Sequence, residues 1–490
     1  MESRAEMEAA RLARLAGKRQ RDDVIDLTDS PASNKMSRKV TDSSLTYANG
    51  HIGITPTMAS PIQISSPIIS INNLFASSNT IKTVILSSFV VDVGWVLDQI
   101  DNKQAKVWLV KHWTKQDQEK RGIFQSEYPN CKYIHPPIVT GFGCIHPKLM
   151  IIFHERSPND KYIRVVISSG NLIQVDYEMM ENLVFVQDFP VLPKLGSVSL
   201  SEAAASFRDD LKDYLNKLTV PEQLIHLLDL YNFSAATVRI VASIPGQHRD
   251  RYGIYSLKKA ITHMNLNLTE SEYRLKALQL ECQCSSLGAL NRSWLSDFYF
   301  HACAPEIPFV RKQELPPIQV AFPTRETVLG SLAGQLGGGG SIRFNPSHWN
   351  ASTFPKEIIR DCISIRSGTL MHSKVIIGRL PVNRSVSVGE PIGWIYFGSH
   401  NFTRAAWGGI AQSASHLTIN NFEIGVLVPV RQVALNVGHR LDGKTVEPDP
   451  DQVWEESLRK CPVPIPFVRP LPKYSGKTPW FPGQQSSAAD

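Results

Sequence analysis

Two short patterns in this chain carry side chains suited to chemistry at phosphorus. His146-Pro147-Lys148 and His372-Ser373-Lys374 lie 226 positions apart. Each is followed by an Asn at the end of an apolar run: Asn171 in Ser169-Gly170-Asn171-Leu172, and Asn401 in Ser399-His400-Asn401-Phe402, 25 and 29 residues after the respective His. In an extended segment residues i and i+2 point to the same face, so each His can converge with its Lys. An Asn where a strand gives way to a turn stands where α/β scaffolds place site residues. Packed about a pseudo-twofold axis, the two copies bring two imidazoles, two ammonium groups and two carboxamides to one point. Lysines and carboxamides can surround the equatorial oxygens of a phosphoryl group as charge builds. One imidazole can attack in line while the other protonates the leaving oxygen. No metal is needed, because the lysines supply the charge that Mg²⁺ brings elsewhere, and carboxylates near the motifs are too few for a two-metal centre. A lone H-x-K means little; the duplication, with a matched Asn in each copy, gives it weight.

The elements that must hold these residues follow from hydropathy. From about Ile68 short apolar runs alternate with amphipathic stretches, the pattern of an α/β protein. Strands are expected at 83–87, 107–111, 149–153, 163–168 and 182–186, then at 237–243, 375–377, 394–397 and 424–428. Between the two sets, Ser201 can cap a helix whose Phe207, Leu211, Tyr214 and Leu218 recur at spacings of three and four. The glycines at 337–340 read as a mobile loop and 462–472, rich in proline, as a surface-hugging tail. This divides the chain into a disordered regulatory tail (1–67), an N-terminal α/β half (68–235) and a C-terminal α/β half (236–490).

Composition agrees with a globular protein: 42% apolar, 9% aromatic and 20% charged residues. No uncharged apolar run approaches the roughly 20 residues a spanning helix needs, and the first residues lack a secretory layout. Seven scattered cysteines without a C-x-x-C pair suit a reducing compartment rather than a disulfide scaffold or a zinc ribbon. Fifty-two basic against 45 acidic side chains give +7 and a pI near 8.9, compatible with a polyanionic partner. In the tail, Lys18-Arg19-Gln20-Arg21 reads as a nuclear import signal or an ordinary solvated run. Val24-Ile25-Asp26-Leu27, beside acidic residues, reads either as a SUMO-interacting strand or as a chance apolar patch.

The duplicated H-x-K…N resembles the phospholipase D superfamily, in which H-x-K is usually followed by Asp after four intervening residues. Here those positions hold Phe153 and Arg379. Replacement of that Asp by a distant Asn marks the tyrosyl-DNA phosphodiesterase branch. Phe142-Gly143-Cys144-Ile145-His146-Pro147-Lys148, Ser169-Gly170-Asn171-Leu172, the block from Ser399 to Gly408, and Phe422-Glu423-Ile424-Gly425-Val426 resemble that family's blocks in order. The resemblance implies two pseudo-twofold-related halves, each a mixed sheet flanked by helices, and a monomeric, cofactor-free nuclear hydrolase. It would remove topoisomerase I-derived tyrosine or peptide, and other blocks, from single- or double-stranded DNA 3′ ends.

Carried over by position, the resemblance makes His146 the nucleophile of a covalent phosphohistidine. His372 becomes the general acid and base, with Lys148, Lys374, Asn171 and Asn401 on the phosphate. Glu423 supports one imidazole and Asn182, where the family usually has Gln, the other. Phe142 would stack on a base; Ser286, Ser341 and Thr403 would bind DNA phosphates; Trp480 would stand near the peptide side. Two histidines starting in opposite protonation states imply a bell-shaped pH–rate profile. The rivals are a phospholipase D-type lipid or nucleic-acid phosphodiesterase, against which stand the missing Asp and the absence of a membrane-binding helix, and a DNA-binding protein with a dead site, against which stand two intact His/Lys pairs.

Overall fold

The structure, a computed structural model, describes residues 45–58, 66–113, 122–192, 201–275, 278–305, 315–381, 387–410, 416–435 and 449–483. The basic cluster at 18–21 and the SUMO-like segment lie outside the described residues.

Eight strands come from the first part of the chain: β1 (His51–Ile54), β2 (Ile81–Ser88), β3 (Lys106–Lys111), β4 (Gly122–Gln125), β5 (Cys131–His135), β6 (Leu149–Ser157), β7 (Asp160–Ser168) and β8 (Leu183–Pro190). They form one sheet in the order β1-β8-β7-β6-β2-β3-β5-β4. The second part supplies β9 (Arg239–Ser243), β10 (Gly246–His248), β11 (Gln279–Gln283), β12 (Ile318–Ala321) and β13 (Ile359–Arg360). After these come β14 (Val375–Arg379), β15 (Pro391–Gly398), β16 (Gly409–Ile410), β17 (Leu417–Ile419) and β18 (Glu423–Arg431). Seven of these make a sheet ordered β13-β12-β11-β14-β15-β18-β9, and β10, β17 and β16 make a smaller one.

Read from its other end, the second large sheet repeats the first strand for strand. β9 takes the place of β1, β18 of β8, β15 of β7, β14 of β6, β11 of β2, β12 of β3 and β13 of β5. Directions repeat as well. β2–β3 and β3–β5 are parallel, as are β11–β12 and β12–β13, and the remaining equivalent pairs are antiparallel. Within the two large sheets, among the described residues, only β4 lacks a counterpart. Alternation along the strands explains the layers. Ile151, Phe153, Val165 and Ile167 enter a core continuous with the second half, whereas Met150, Ile152 and Val166 enter a separate core under helix Val93–Asp98. Phe207, Leu211, Tyr214 and Leu218, on and just beyond helix Glu202–Lys217, are buried in the shared core.

Three expectations need correction. Residues 51–54 are not tail: β1 pairs antiparallel with β8, so the first half begins before residue 68. The glycine stretch is not an open loop, because it carries the short helix Gly334–Gly337 and the 3₁₀ turn Gly339–Ser341. The segment at 462–472 is a buried strap rather than a surface tail: Val463, Phe467 and Leu471 are core residues, and Phe467 bridges to Ser364.

The halves meet by exchanging backbone. The His146 N–H donates to Phe422 O at 3.0 Å and the His372 N–H to Glu181 O at 2.9 Å. In return Phe422 N–H reaches Cys144 O at 3.0 Å and Glu181 N–H reaches Leu370 O at 2.9 Å. Each His is thereby pinned beside the strand entrance of the opposite half. The Glu181 carboxylate accepts from the buried Arg366 guanidinium, which also donates to Thr55 O at 3.0 Å. Burial nevertheless pushes the Glu181 carboxyl up to about 7, against the pull of Arg366. Removing one partner of such a pair strands a buried charge, so Arg366→Met should cost about 3–5 kcal/mol in urea unfolding. The double change with Glu181→Gln should recover most of it, and a single variant as stable as the parent would refute the clamp.

Candidate active site

The repeat places its two chemical sets at this seam. His146, Lys148, Asn171, His372, Lys374, Asn401 and Glu423 are all buried. Each Lys folds back onto its own His: Lys148 Nζ donates to His146 O at 2.7 Å, and Lys374 Nζ donates to His372 O. The Asn residues follow the last residues of β7 and β15, where parallel bridges Val91–Leu172 and Leu287–Phe402 repeat the same turn in both halves. Convergence is also electrostatic. Lys148 of the first half depresses the basicity of His372 in the second, and Lys374 of the second pulls down Asp176 and Glu423.

The two imidazoles differ in what stands behind them. His146 Nδ1 is 2.7 Å from Glu423 Oε2, which also accepts from Ser399 Oγ at 2.6 Å; Asn421 Nδ2 donates to Glu423 Oε1 at 3.0 Å. Complete burial raises Glu423 to about 7, with Lys148, Ser399 and Asn421 holding it back. An Nδ1–H turned toward Glu423 leaves Nε2 as the lone-pair nitrogen. The Phe89 ring packs 5.4 Å from the His146 ring.

Asn182 does not support the other imidazole. It occupies the place equivalent to Glu423, since Ser169 Oγ donates to Asn182 Oδ1 at 2.8 Å as Ser399 Oγ does to Glu423. Its amide is spent on Asp176 O at 2.7 Å. The group beside His372 is Asp176, whose Oδ2 is 3.1 Å from His372 Nδ1, an ion-pair contact without the alignment of a hydrogen bond. The same oxygen accepts from Asn171 N at 2.6 Å and Asn171 Nδ2 at 2.9 Å. Burial alone would raise Asp176, but His372, the Asn171 N–H and Lys374 together hold it at about 2. His372 is itself lowered to about 4, first by burial and then by the lysines, against the pull of Asp176. The pair is therefore neutral imidazole beside a firm carboxylate.

The expected DNA contacts divide. Phe142 is 79% exposed, so its ring lies outside the core. Ser286 and Thr403 line a cleft of about 480 Å³ together with Asn401, Arg404 and His112. Thr403 Oγ1 also caps helix Arg404–Trp407 by accepting from Ala406 N at 3.2 Å. Ser341 is buried in its 3₁₀ turn, two residues before Arg343, which bridges to Ser286. Trp480 is not a surface contact: it is 1% exposed, and its Nε1–H donates to Gly339 O at 2.9 Å. A larger cavity of about 1160 Å³ lies against β1, helix Pro450–Lys460 and the strap, and none of its lining residues belongs to the motifs. Among the described residues no cluster of three or more His, Cys, Asp or Glu could hold a metal ion.

Comparison with known proteins decides the lineage. Residues 57–475 match the sequence model of the family described as tyrosyl-DNA phosphodiesterase. The chain belongs to the tyrosyl-DNA phosphodiesterase family. "Tyrosyl-DNA phosphodiesterase 1" of Arabidopsis thaliana is 26% identical over 406 residues, which are 75% of this chain and 60% of that protein. The Drosophila melanogaster protein of the same name is 25% identical over 421 residues, covering 81% and 69%. The chain thus spans under two-thirds of the Arabidopsis family member. The crystal structure of yeast tyrosyl-DNA phosphodiesterase superposes with a TM-score of 0.60 at 17% identity, over 89% of this chain and all of that one. The fold of this family member is accordingly the phospholipase D-like pair of mixed α/β sheets.

Asp176 was invisible to motif reasoning because its equivalent in the second copy is Ala406, five residues after Asn401 as Asp176 is five after Asn171. Only the invariant part of a repeat can be found by looking for repetition.

Proposed function

We propose that this protein hydrolyses the phosphodiester between a DNA 3′ end and a tyrosine or short tyrosyl peptide, without a metal, in two steps on one seam. The observation that carries this reading is the exchange of backbone hydrogen bonds that buries both His-Lys-Asn sets together, each His next to its own carboxylate. His146 Nε2 attacks phosphorus, the nitrogen–phosphorus bond forms, and the tyrosyl oxygen leaves with a proton from His372. Water then gives its proton to His372 and attacks phosphorus, and the nitrogen–phosphorus bond breaks to leave a 3′-phosphate. The lysines and asparagines hold the equatorial oxygens, where charge is greatest in the transition state.

The low basicity of His372 fits this cycle. Two of its causes are the charges of Lys374 and Lys148. An entering phosphate offsets those charges and so raises His372, arming the acid only when substrate is present. Phe142 stacks on a base of the strand, worth about 1–3 kcal/mol, while Ser286, Thr403 and the Ser341 turn serve the phosphate track. We assign the protein as a monomer to the nucleus, with Val24–Leu27 as a SUMO-interacting sequence. Among the described residues no helix is long and apolar enough to cross a membrane.

The decisive assay is incubation with an oligonucleotide bearing a 3′-phosphotyrosine in excess EDTA. Release of tyrosine with a 3′-phosphate product is expected at an undiminished rate, and a requirement for added metal would sink the scheme.

A further inference from the structure

The geometry points to Asp176 as the positioning residue of the general acid, holding His372 in the Nδ1–H tautomer while fixing Asn171 on the phosphate side. This deepens the proposed function and rests on it. One carboxylate oxygen serves both tasks: Asp176 Oδ2 lies 3.1 Å from His372 Nδ1 and accepts both the Asn171 backbone N–H, at 2.6 Å, and Asn171 Nδ2, at 2.9 Å. Asp176 sits in the short helix Gln174–Glu178 of the first half, whereas His372 and Lys374 belong to the second. The contact therefore crosses the seam, as Glu423 crosses it in the other direction to His146.

The two carboxylates break the pseudo-symmetry in a way that assigns the roles. Glu423 enters from the first residue of a strand and is hydrogen-bonded on both oxygens, by Ser399 and His146 on one and Asn421 on the other. Asp176 enters from a helix; its Oδ1 and the facing His372 Nδ1 are both buried without an aligned hydrogen bond among the described residues, so the 3.1 Å approach of Oδ2 to Nδ1 is an ion-pair contact. A carboxylate held as a firm anion next to an imidazole favours the imidazolium and orients its opposite nitrogen. That is the state a proton donor to a leaving tyrosine requires. Asn182, in the strand position, is spent on Ser169 and on the Asp176 backbone and cannot substitute.

A leaving-group comparison separates this role from a structural one. The parent protein and Asp176→Asn are assayed on two oligonucleotides, one ending in 3′-phosphotyrosine and one in a 3′-(4-nitrophenyl) phosphate. Nitrophenolate is a far weaker base than tyrosinate and needs little protonation. Asp176→Asn keeps an acceptor for Asn171 but loses the charge. It should lose roughly 10²-fold on the tyrosyl substrate and less than about tenfold on the nitrophenyl one, the scale of general-acid catalysis. Equal losses on both substrates, or none on either, overturn the assignment. A measurement free of any variant's folding backs it: ¹⁵N-histidine spectra of the parent, with His372 identified by its absence in His372→Asn, should show His372 protonated at Nδ1. An Nε2–H tautomer at neutral pH overturns the role as well. Release from neither substrate by the parent protein overturns the proposed function and this role with it.

Discussion

His146→Ala should show no turnover and no protein–DNA adduct, whereas His372→Asn should accumulate a covalent adduct that the parent protein never displays at steady state. The asymmetry follows from what each step asks of the second imidazole. In the first, His372 protonates a departing phenol, whose pKa of about 10 lets it leave with only partial help. In the second, a water of pKa near 15.7 must lose a proton to become an effective nucleophile. Loss of the acid/base group therefore slows the second step far more than the first, and phosphohistidine builds up. Deleting the nucleophile removes the intermediate altogether, at a cost on the scale of about 10⁴–10⁶-fold seen for covalent nucleophiles. Both variants are expected to fold, since neither imidazole supports a core element; the backbone N–H groups of residues 146 and 372, which pin the seam, survive the substitutions. A labelled oligonucleotide resolved on a denaturing gel reads the result directly. The adduct should be acid-labile, as a phosphoramidate is. An adduct in His146→Ala, or free product from it near the parent rate, would reverse the roles of the two histidines.

The parts of this site that were legible in the sequence are those the chain states twice. Strands β6 and β14 begin right after their H-x-K patterns, β7 and β15 end just before their Asn residues, and these four segments are rich in apolar residues and bounded by glycine or polar turns. Where the halves diverge, repetition stops helping. The carboxylate partnering His146 is on a strand and that near His372 on a helix, so Asn182, which the family resemblance implies as the second support, has the position but not the contact. Strand β11, Gln-Leu-Glu-Cys-Gln, carries too few apolar residues to announce itself, though its place in the sheet is fixed by pairing with β12 and β14. The glycines at 337–340 read as freedom, yet Trp480 packs against Gly339, where a Cβ would stand 3.2 Å from its ring. Proline suggested an exposed strap, and burial of Phe467 and Leu471 overrode that expectation. In each of these cases a partner remote in sequence decides the conformation, and no local pattern names that partner.

Replacing either active-site lysine with methionine should reduce kcat/KM by about 10²–10³-fold, the usual effect of removing one preorganised charge from a developing oxyanion. Methionine keeps most of the buried stem, so the loss reports charge. Lys148 and Lys374 are 2% and 1% exposed, and each is tethered to the carbonyl of its own His. They are fixed in place before substrate arrives, and no reorganisation precedes reaction. Their fields also reach the acid–base groups: both lysines depress His372 and both hold down Glu423, while Lys374 helps keep Asp176 ionised. Taking away a cation must therefore raise the pKa of each neighbour. A higher His372 pKa keeps the imidazole protonated to higher pH, which extends the acid step and delays the base step. A higher Glu423 pKa delays formation of the carboxylate behind His146. Every limb moves the same way, so the bell-shaped profile of kcat/KM should shift toward alkaline pH as its height falls. Added Mg²⁺ should restore neither property, because the described residues offer no cluster of ligands to hold it near the phosphate. Rates within tenfold of the parent, or a lowered profile that stays at the same pH, would show that the two lysines act as struts for the histidine loops and that the phosphate charge is met by some other group.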